Sequence, residues 1–174
     1  MSGRTALVTG GARGIGRATA LALAADGRVV VVADIRRDDL FETAAAVEAT
    51  GSRAAAIELD VTDGASVAEG VRRAEEALGP VEILVNNAGW DELRPFLETD
   101  EDFWDRVIEI NLKGCLRVTR TVVPGMVERG WGRVVNIGSD AGRVGSSLEA
   151  VYSGAKGGVI AFTKTLAARW RVLA

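Results

Sequence analysis

Apolar residues in this chain come in short runs, and between the runs they recur at helical spacing. The first run, TALVTG at 5–10, reads as a buried strand. RATALALAADG at 17–27 is rich in Ala and Leu and closes at Gly27, the pattern of a helix with a glycine beyond its end. RVVVVAD at 28–34 is β-branched, hence strand, and DDLFETAAAVEATG at 38–51 is a helix stopping at Gly51. RAAAIELDV at 53–61 is a weaker strand, and DGASVAEGVRRAEEALG at 63–79 is a third helix. VEILVNNAG at 81–89 is a strand running into a polar turn. Thr99 with Asp102 resembles a capping box that opens one long helix over 101–130, and Pro124 should kink or end it. GRVVNIGS at 132–139 predicts a fifth strand, and 151–170 a final helix.

Strands that read as unbroken apolar runs are buried on both faces, and helices between them imply right-handed parallel crossovers. The expected fold class is therefore α/β, a doubly wound parallel sheet. A length of 174 residues suits one domain over 1–174, without interior linker or repeat.

Composition narrows the chemistry. Net charge is −3 with no block of like charge, so neither nucleic acid nor an anionic membrane is an expected partner. Cys115 is the single cysteine, which excludes an internal disulfide and a thiolate metal site, and it reads as a small buried helix residue. The absence of histidine removes His triads and His-ligated metals, leaving acid–base work to Tyr, Lys, Asp, Glu or Ser. MSGRTALVTG does not read as a signal peptide, and the longest apolar run, VVVVA, is too short to cross a bilayer. A cytoplasmic protein without a metal is expected.

TGGARGIG at 9–16 lies between the first strand and the first helix. Gly10, Gly14 and Gly16 allow positive φ and close approach of a pyrophosphate, with a helix N-terminus aimed at the anion. A plain tight turn is the other reading. Asp34 ends the second strand, placed for a carboxylate that binds a ribose 2′-hydroxyl. It argues for NAD over NADP, whereas Arg13, Arg36 and Arg37 argue the other way if any of them faces a phosphate. Asp60 and Val61, on the same rim, suit an adenine contact, and Asp60 equally suits a helix cap.

Asn86, Asn87 and Ser139 follow strands four and five, where ligands of such sheets bind, although each also fits a turn or cap. Asn111 lies inside the long helix. It either points to solvent or distorts the helix and presents a carbonyl to the site. Tyr152, the only tyrosine, and Lys156 share a helix face. An ammonium roughly 5 Å from a phenolate stabilises it by about 3 kcal/mol at an effective dielectric near 20. That lowers a phenol by about two pKa units, towards a working range. The other reading is a packed Tyr beside a solvated Lys. The small residues Ser153, Gly154, Ala155, Gly157 and Gly158 suggest that something packs closely there.

In combination TGGARGIG, Asp34, NNAG, Asn111, Ser139 and YSGAK resemble the short-chain dehydrogenase/reductase family over essentially the whole chain. The resemblance implies a Rossmann-type sheet and hydride transfer between NAD and a secondary alcohol or ketone. It implies Tyr152 as general acid/base, Lys156 lowering its pKa and holding the nicotinamide ribose, Ser139 on the substrate oxygen and Asn111 anchoring a relay water. It carries Gly10, Arg13, Gly14, Ile15, Gly16, Asp34, Asp60, Val61, Asn87, Ala88 and Gly89, with Tyr152 and Lys156, into cofactor binding. It also implies a homo-oligomer paired through the two long helices. NNAGWDELRPF and the stretch from PGMVERG to AVY look like members that oxidise 2-hydroxycyclohexanecarboxyl-CoA thioesters. Against the family pattern the chain reads as truncated after the helix that follows strand five, without the last strands and substrate lid. An apolar RVVNI strand is then left on the outside, and a dinucleotide-binding protein with little or no turnover is the alternative.

Overall fold

The computed structural model describes residues 3–170. Strands β1 (Thr5–Thr9), β2 (Val29–Asp34), β3 (Ala54–Glu58), β4 (Val81–Asn86) and β5 (Arg133–Asn136) form one parallel sheet in the order β3-β2-β1-β4-β5. Helices α1 (Gly14–Ala25), α2 (Arg37–Glu48) and α3 (Gly64–Leu78) link the first four strands. Between β4 and β5 come α4 (Glu101–Ile108) and α5 (Gly114–Glu128), and after β5 come α6 (Ala141–Val144) and α7 (Ala150–Trp170). This is the doubly wound parallel sheet that the apolar pattern predicts. The expected domain end at Ala174 lies outside the described residues.

Side chains alternate across a strand, so β1 and β2 serve two cores. Leu7 and Val31 pack with Val67, Val71, Val118 and Val122 of α3 and α5. Val8, Val30 and Val32 pack with Ala20, Leu40 and Val47 of α1 and α2. Every residue of β1 and β2 is buried, as unbroken apolar runs require. β3 and β5 are the outer strands, and β5 leaves Val135 exposed, so the expected apolar outer strand is present.

Three local expectations change. α1 begins at Gly14 rather than residue 17, so the glycine turn is itself the start of the helix. The cap of α4 is Asp100, whose Oδ1 accepts the Phe103 N–H at 2.9 Å. Thr99 instead donates its hydroxyl to the Phe96 carbonyl and accepts the Trp104 indole N–H, each over 2.7 Å. The long helix is divided at Glu109–Lys113 by a π-helical turn, whereas Pro124 sits inside α5 without ending it. Proline removes the hydrogen bond to the carbonyl of residue 120, and both Arg120 and Pro124 are exposed, so water can serve that carbonyl.

Candidate active site

All five strands end on one rim, and the polar residues singled out in the sequence gather there. Gly10 and Gly14 have φ of 62° and 53°, the left-handed region that glycine adopts without strain. Gly16 is required for proximity: a Cβ there would lie 2.6 Å from Asn87 Nδ2 and 2.8 Å from the Gly10 carbonyl carbon. The N-cap of α1, Arg13, offers no side-chain hydrogen bond, so no cap occupies the N–H groups of the first turn. Asp34 is buried, and its two oxygens accept the backbone N–H of Ala12 at 3.1 Å and of Arg36 at 3.0 Å. A carboxylate oxygen accepts two hydrogen bonds, so each retains capacity for a hydroxyl. Asp60 Oδ1 accepts from the N–H and hydroxyl of Thr62. The cap of α3 is Asp63, not Asp60.

From β4, Asn87 donates through Nδ2 to the carbonyls of Thr9 and Gly10, at 3.1 and 3.0 Å. The N–H groups of Asn87 and Ala88 both donate to Thr9 Oγ1. The NNAG turn is thus stitched to the glycine turn. Asn86 turns the other way, donating to Thr119 Oγ1 and Asn136 Oδ1, and it ties β4 to α5 and β5.

Asn111 sits within the π turn and is 1% exposed, so the solvent-facing reading fails. Its Nδ2 donates to the carbonyls of Trp90 and Val107 at 2.6 and 2.9 Å, and its Oδ1 accepts the Trp90 N–H at 3.3 Å. The helix distortion expected of Asn111 is present, and the side chain clamps the segment after NNAG. A Cβ on Gly89 would lie 2.8 Å from Asn111 Oδ1 and 3.9 Å from Lys156 Nζ, so this glycine joins the NNAG turn to the Lys156 side of the site.

Lys156 is 5% exposed and donates from Nζ to the Ile137 carbonyl at 2.8 Å, with Nζ 5.6 Å from the Tyr152 ring centroid. The close packing expected around the pair comes from α6 and the π turn. A Cβ on Gly142 would lie 2.6 Å from the Gly157 nitrogen, and one on Gly158 3.2 Å from Leu112. Ser139 Oγ accepts the Ala141 N–H at 3.1 Å, which leaves its own proton to donate.

The electrostatic expectation for the pair is overturned. Burial pushes the Tyr152 phenol above its ordinary value; a hydrogen bond with Ser139 opposes this, and the Asp91 and Glu149 charges add to it. Burial likewise lowers the Lys156 ammonium. Desolvation penalises the charged form of both groups.

A cleft of about 860 Å³ opens along this rim. Its walls include Gly10, Arg13, Gly14, Ile15 and Asp34 from the first half of the sheet. Asp60, Val61, Asn87, Ala88 and Gly89 complete the expected set, while Gly16 lies behind the wall. Tyr152 and Lys156 are not among its walls, and Lys156 adjoins it at Gly89. Ile35, Thr62, Trp90, Arg106 and Ile110 also line the cleft and were missed. The positions of Ile35 and Trp90 directly after Asp34 and NNAG were the only signal for them.

The sequence profile of the short chain dehydrogenases matches residues 4–172. The chain belongs to that family. Among its curated short-chain relatives is 2-dehydro-3-deoxy-L-rhamnonate dehydrogenase (NAD(+)) of Sphingomonas sp., 43% identical over 95% of this chain and 65% of the relative. A solved NAD+-bound xylitol dehydrogenase superposes with a TM-score of 0.95 at 34% identity, over 99% of this chain and 66% of the other. An actinorhodin polyketide ketoreductase with NADPH superposes at 0.93 and 37% identity, over 96% and 65%. The chain spans 65–66% of the length of these three proteins. The family binds nicotinamide cofactors, and the open first turn of α1, the cradle at Gly10 and the residual capacity of Asp34 fit such a group. Among the described residues no helix is long and apolar enough to cross a membrane.

Proposed function

We propose that this chain carries out NAD-linked hydride transfer between a secondary alcohol and its ketone, with Tyr152 moving the proton. The observation that carries this reading is the buried Lys156, held by the Ile137 carbonyl beside Tyr152 and Ser139, next to the glycine turn anchored by Asp34. When bound, the nicotinamide supplies or takes up the hydride. Tyr152 donates its proton to the carbonyl oxygen in reduction and takes it back in oxidation. Ser139 shares that oxygen through the proton left free by its bond from Ala141. Lys156 holds the ribose, and Asn111 keeps Trp90 and Gly89 in place at the head of the relay.

Asp34 favours NAD, because a 2′-phosphate would face a buried carboxylate. Arg36 pairs with Asp39 at 2.6 Å and Arg37 with Glu58 at 3.9 Å, which weakens the case for a phosphate site. The likeness of NNAGWDELRPF supports an alicyclic 2-hydroxyacyl-CoA as substrate, to be compared with polyols such as xylitol, and pairing of two copies through α4–α5 and α7 belongs to the same reading. A reducing cytoplasm is the compartment assigned.

The test is NADH formation by purified protein given NAD and a panel of cyclic secondary alcohols, hydroxyacyl-CoAs and polyols. Tyr152→Phe is expected to lose turnover and keep NAD affinity. Wild-type protein that binds NAD and turns over none of the panel would favour a dinucleotide-binding role without catalysis.

A further inference from the structure

Arg117 is not among the walls of the cleft, yet it ties two of those walls to each other. Val61 walls the cleft from the turn after β3, and Ile110 walls it from the π turn between α4 and α5. Arg117, on α5, donates from Nη1 to the Val61 carbonyl at 3.3 Å. From Nη2 it donates to Oε1 of Glu109, the residue directly before Ile110 and itself a wall of the cleft. Lys113 holds the other Glu109 oxygen, Oε2, at 2.9 Å. The hydrogen bond from Lys113, and after it that from Arg117, keep the Glu109 carboxyl below its ordinary range against partial burial. The packing at this point is tight: a Cβ on Gly114, where α5 begins, would lie 2.8 Å from Val61 Cγ2 and 2.9 Å from Val61 Cβ. The residues on either side of Val61 are pinned within their own turn, Asp60 N–H to Ser66 Oγ at 2.9 Å and Thr62 N–H to Asp60 Oδ1 at 2.8 Å. Among the described residues, Arg117 supplies the side-chain hydrogen bond that joins this turn to α5.

We propose that Arg117 and Glu109 are positioning residues for the adenosine half of the cofactor, a strap that fixes the spacing between Val61 and Ile110 before the nucleotide enters. The proposal rests on the NAD reading of the cleft, in which Val61 meets the adenine. The guanidinium fork suits the task, because its two terminal nitrogens bond two acceptors at a fixed separation. A slot built in advance binds a flat base without the cost of ordering its walls. Arg117 acts through Val61, and Glu109 acts through Arg117 and the π turn that carries Ile110.

The test is calorimetric binding of NAD and of ADP-ribose, which carries the adenosine half without the nicotinamide, to the purified full chain. Arg117→Ala is expected to weaken both by about five- to tenfold, and Glu109→Gln to weaken both by about threefold. Arg117→Lys offers one nitrogen in place of the fork and is expected to recover part of the loss. Arg129→Ala is the control for a merely structural role. Arg129 makes the same kind of bond, Nη2 to the Val81 carbonyl at 2.8 Å, but at the start of β4, the end of the strand away from the cleft. This control is expected to lose stability and keep both affinities within about twofold of wild type. Folded Arg117→Ala that binds ADP-ribose like wild type overturns the proposal, whether or not NAD is weakened, and leaves the oxidoreductase reading standing. Circular dichroism reports folding, and Glu109→Gln decides in the same way if Arg117→Ala does not fold. Wild-type protein that binds neither ligand sinks the NAD reading and the proposal with it.

Discussion

Adding one methyl group at Gly16 should unfold more of this protein than the same change at Gly14, although the two positions share a turn. At Gly16 the Cβ would sit 2.8 Å from the Gly10 carbonyl carbon, against about 3.5 Å for an unstrained carbon pair. It would also sit 2.6 Å from Asn87 Nδ2, the group that bonds the Thr9 and Gly10 carbonyls. Overpacking of a rigid backbone costs about 1–3 kcal/mol, and each loosened hydrogen bond about 1 kcal/mol more. Gly16→Ala should therefore lose about 3–5 kcal/mol. At Gly14 no atom lies within 4 Å of a new Cβ, and only the positive φ is strained. Gly14→Ala should lose about 1–2 kcal/mol. Urea unfolding followed by circular dichroism, with m-values checked for equality, gives both numbers. NAD affinity by calorimetry should fall at least about tenfold in Gly16→Ala, because displacing the Gly10 backbone moves the turn that leads into the α1 N-terminus, whose N–H groups would face the pyrophosphate. A Gly16→Ala protein as stable as Gly14→Ala would refute the contact between the two turns.

Asn111→Ala removes three hydrogen bonds around Trp90 and Val107 and should lower stability by about 2–4 kcal/mol in the same urea experiment. Asp34→Ala leaves the Ala12 and Arg36 N–H groups without their acceptor. It should cost about 2–3 kcal/mol and, on the proposed NAD reading, raise NADP affinity relative to NAD, read by calorimetry with each cofactor. For Asp91 the folded-state pKa is raised, so its contribution is favourable below the unfolded value and is lost as pH rises through the folded one. Asp91→Asn should thus raise Tm at neutral pH and lose that advantage on acidification below the ordinary carboxylate range, measured by thermal unfolding across pH.

Much of the fold is written locally. Unbroken runs such as VVVVA demand burial on both faces, and β2 has it. Glycines at 10, 14 and 16 permit one kind of strand-to-helix turn, and Asp34 falls at the adjoining strand end because parallel strands carry their carboxyl ends to one rim. The pairing of Tyr152 with Lys156 follows from the 3.6-residue period. What local pattern does not carry is the balance of desolvation against charge, since that depends on neighbours remote in the chain. Lys156 was expected to lower the Tyr152 phenol, yet burial and two carboxyls, one arriving from the β4 loop, raise it. At the π turn, the buried Asn111 amide likewise finds partners in the Trp90 N–H and carbonyl, brought over from beyond β4. Periodicity and turn chemistry are properties of neighbouring residues, whereas a pKa and a buried hydrogen bond belong to whatever the folded chain brings alongside.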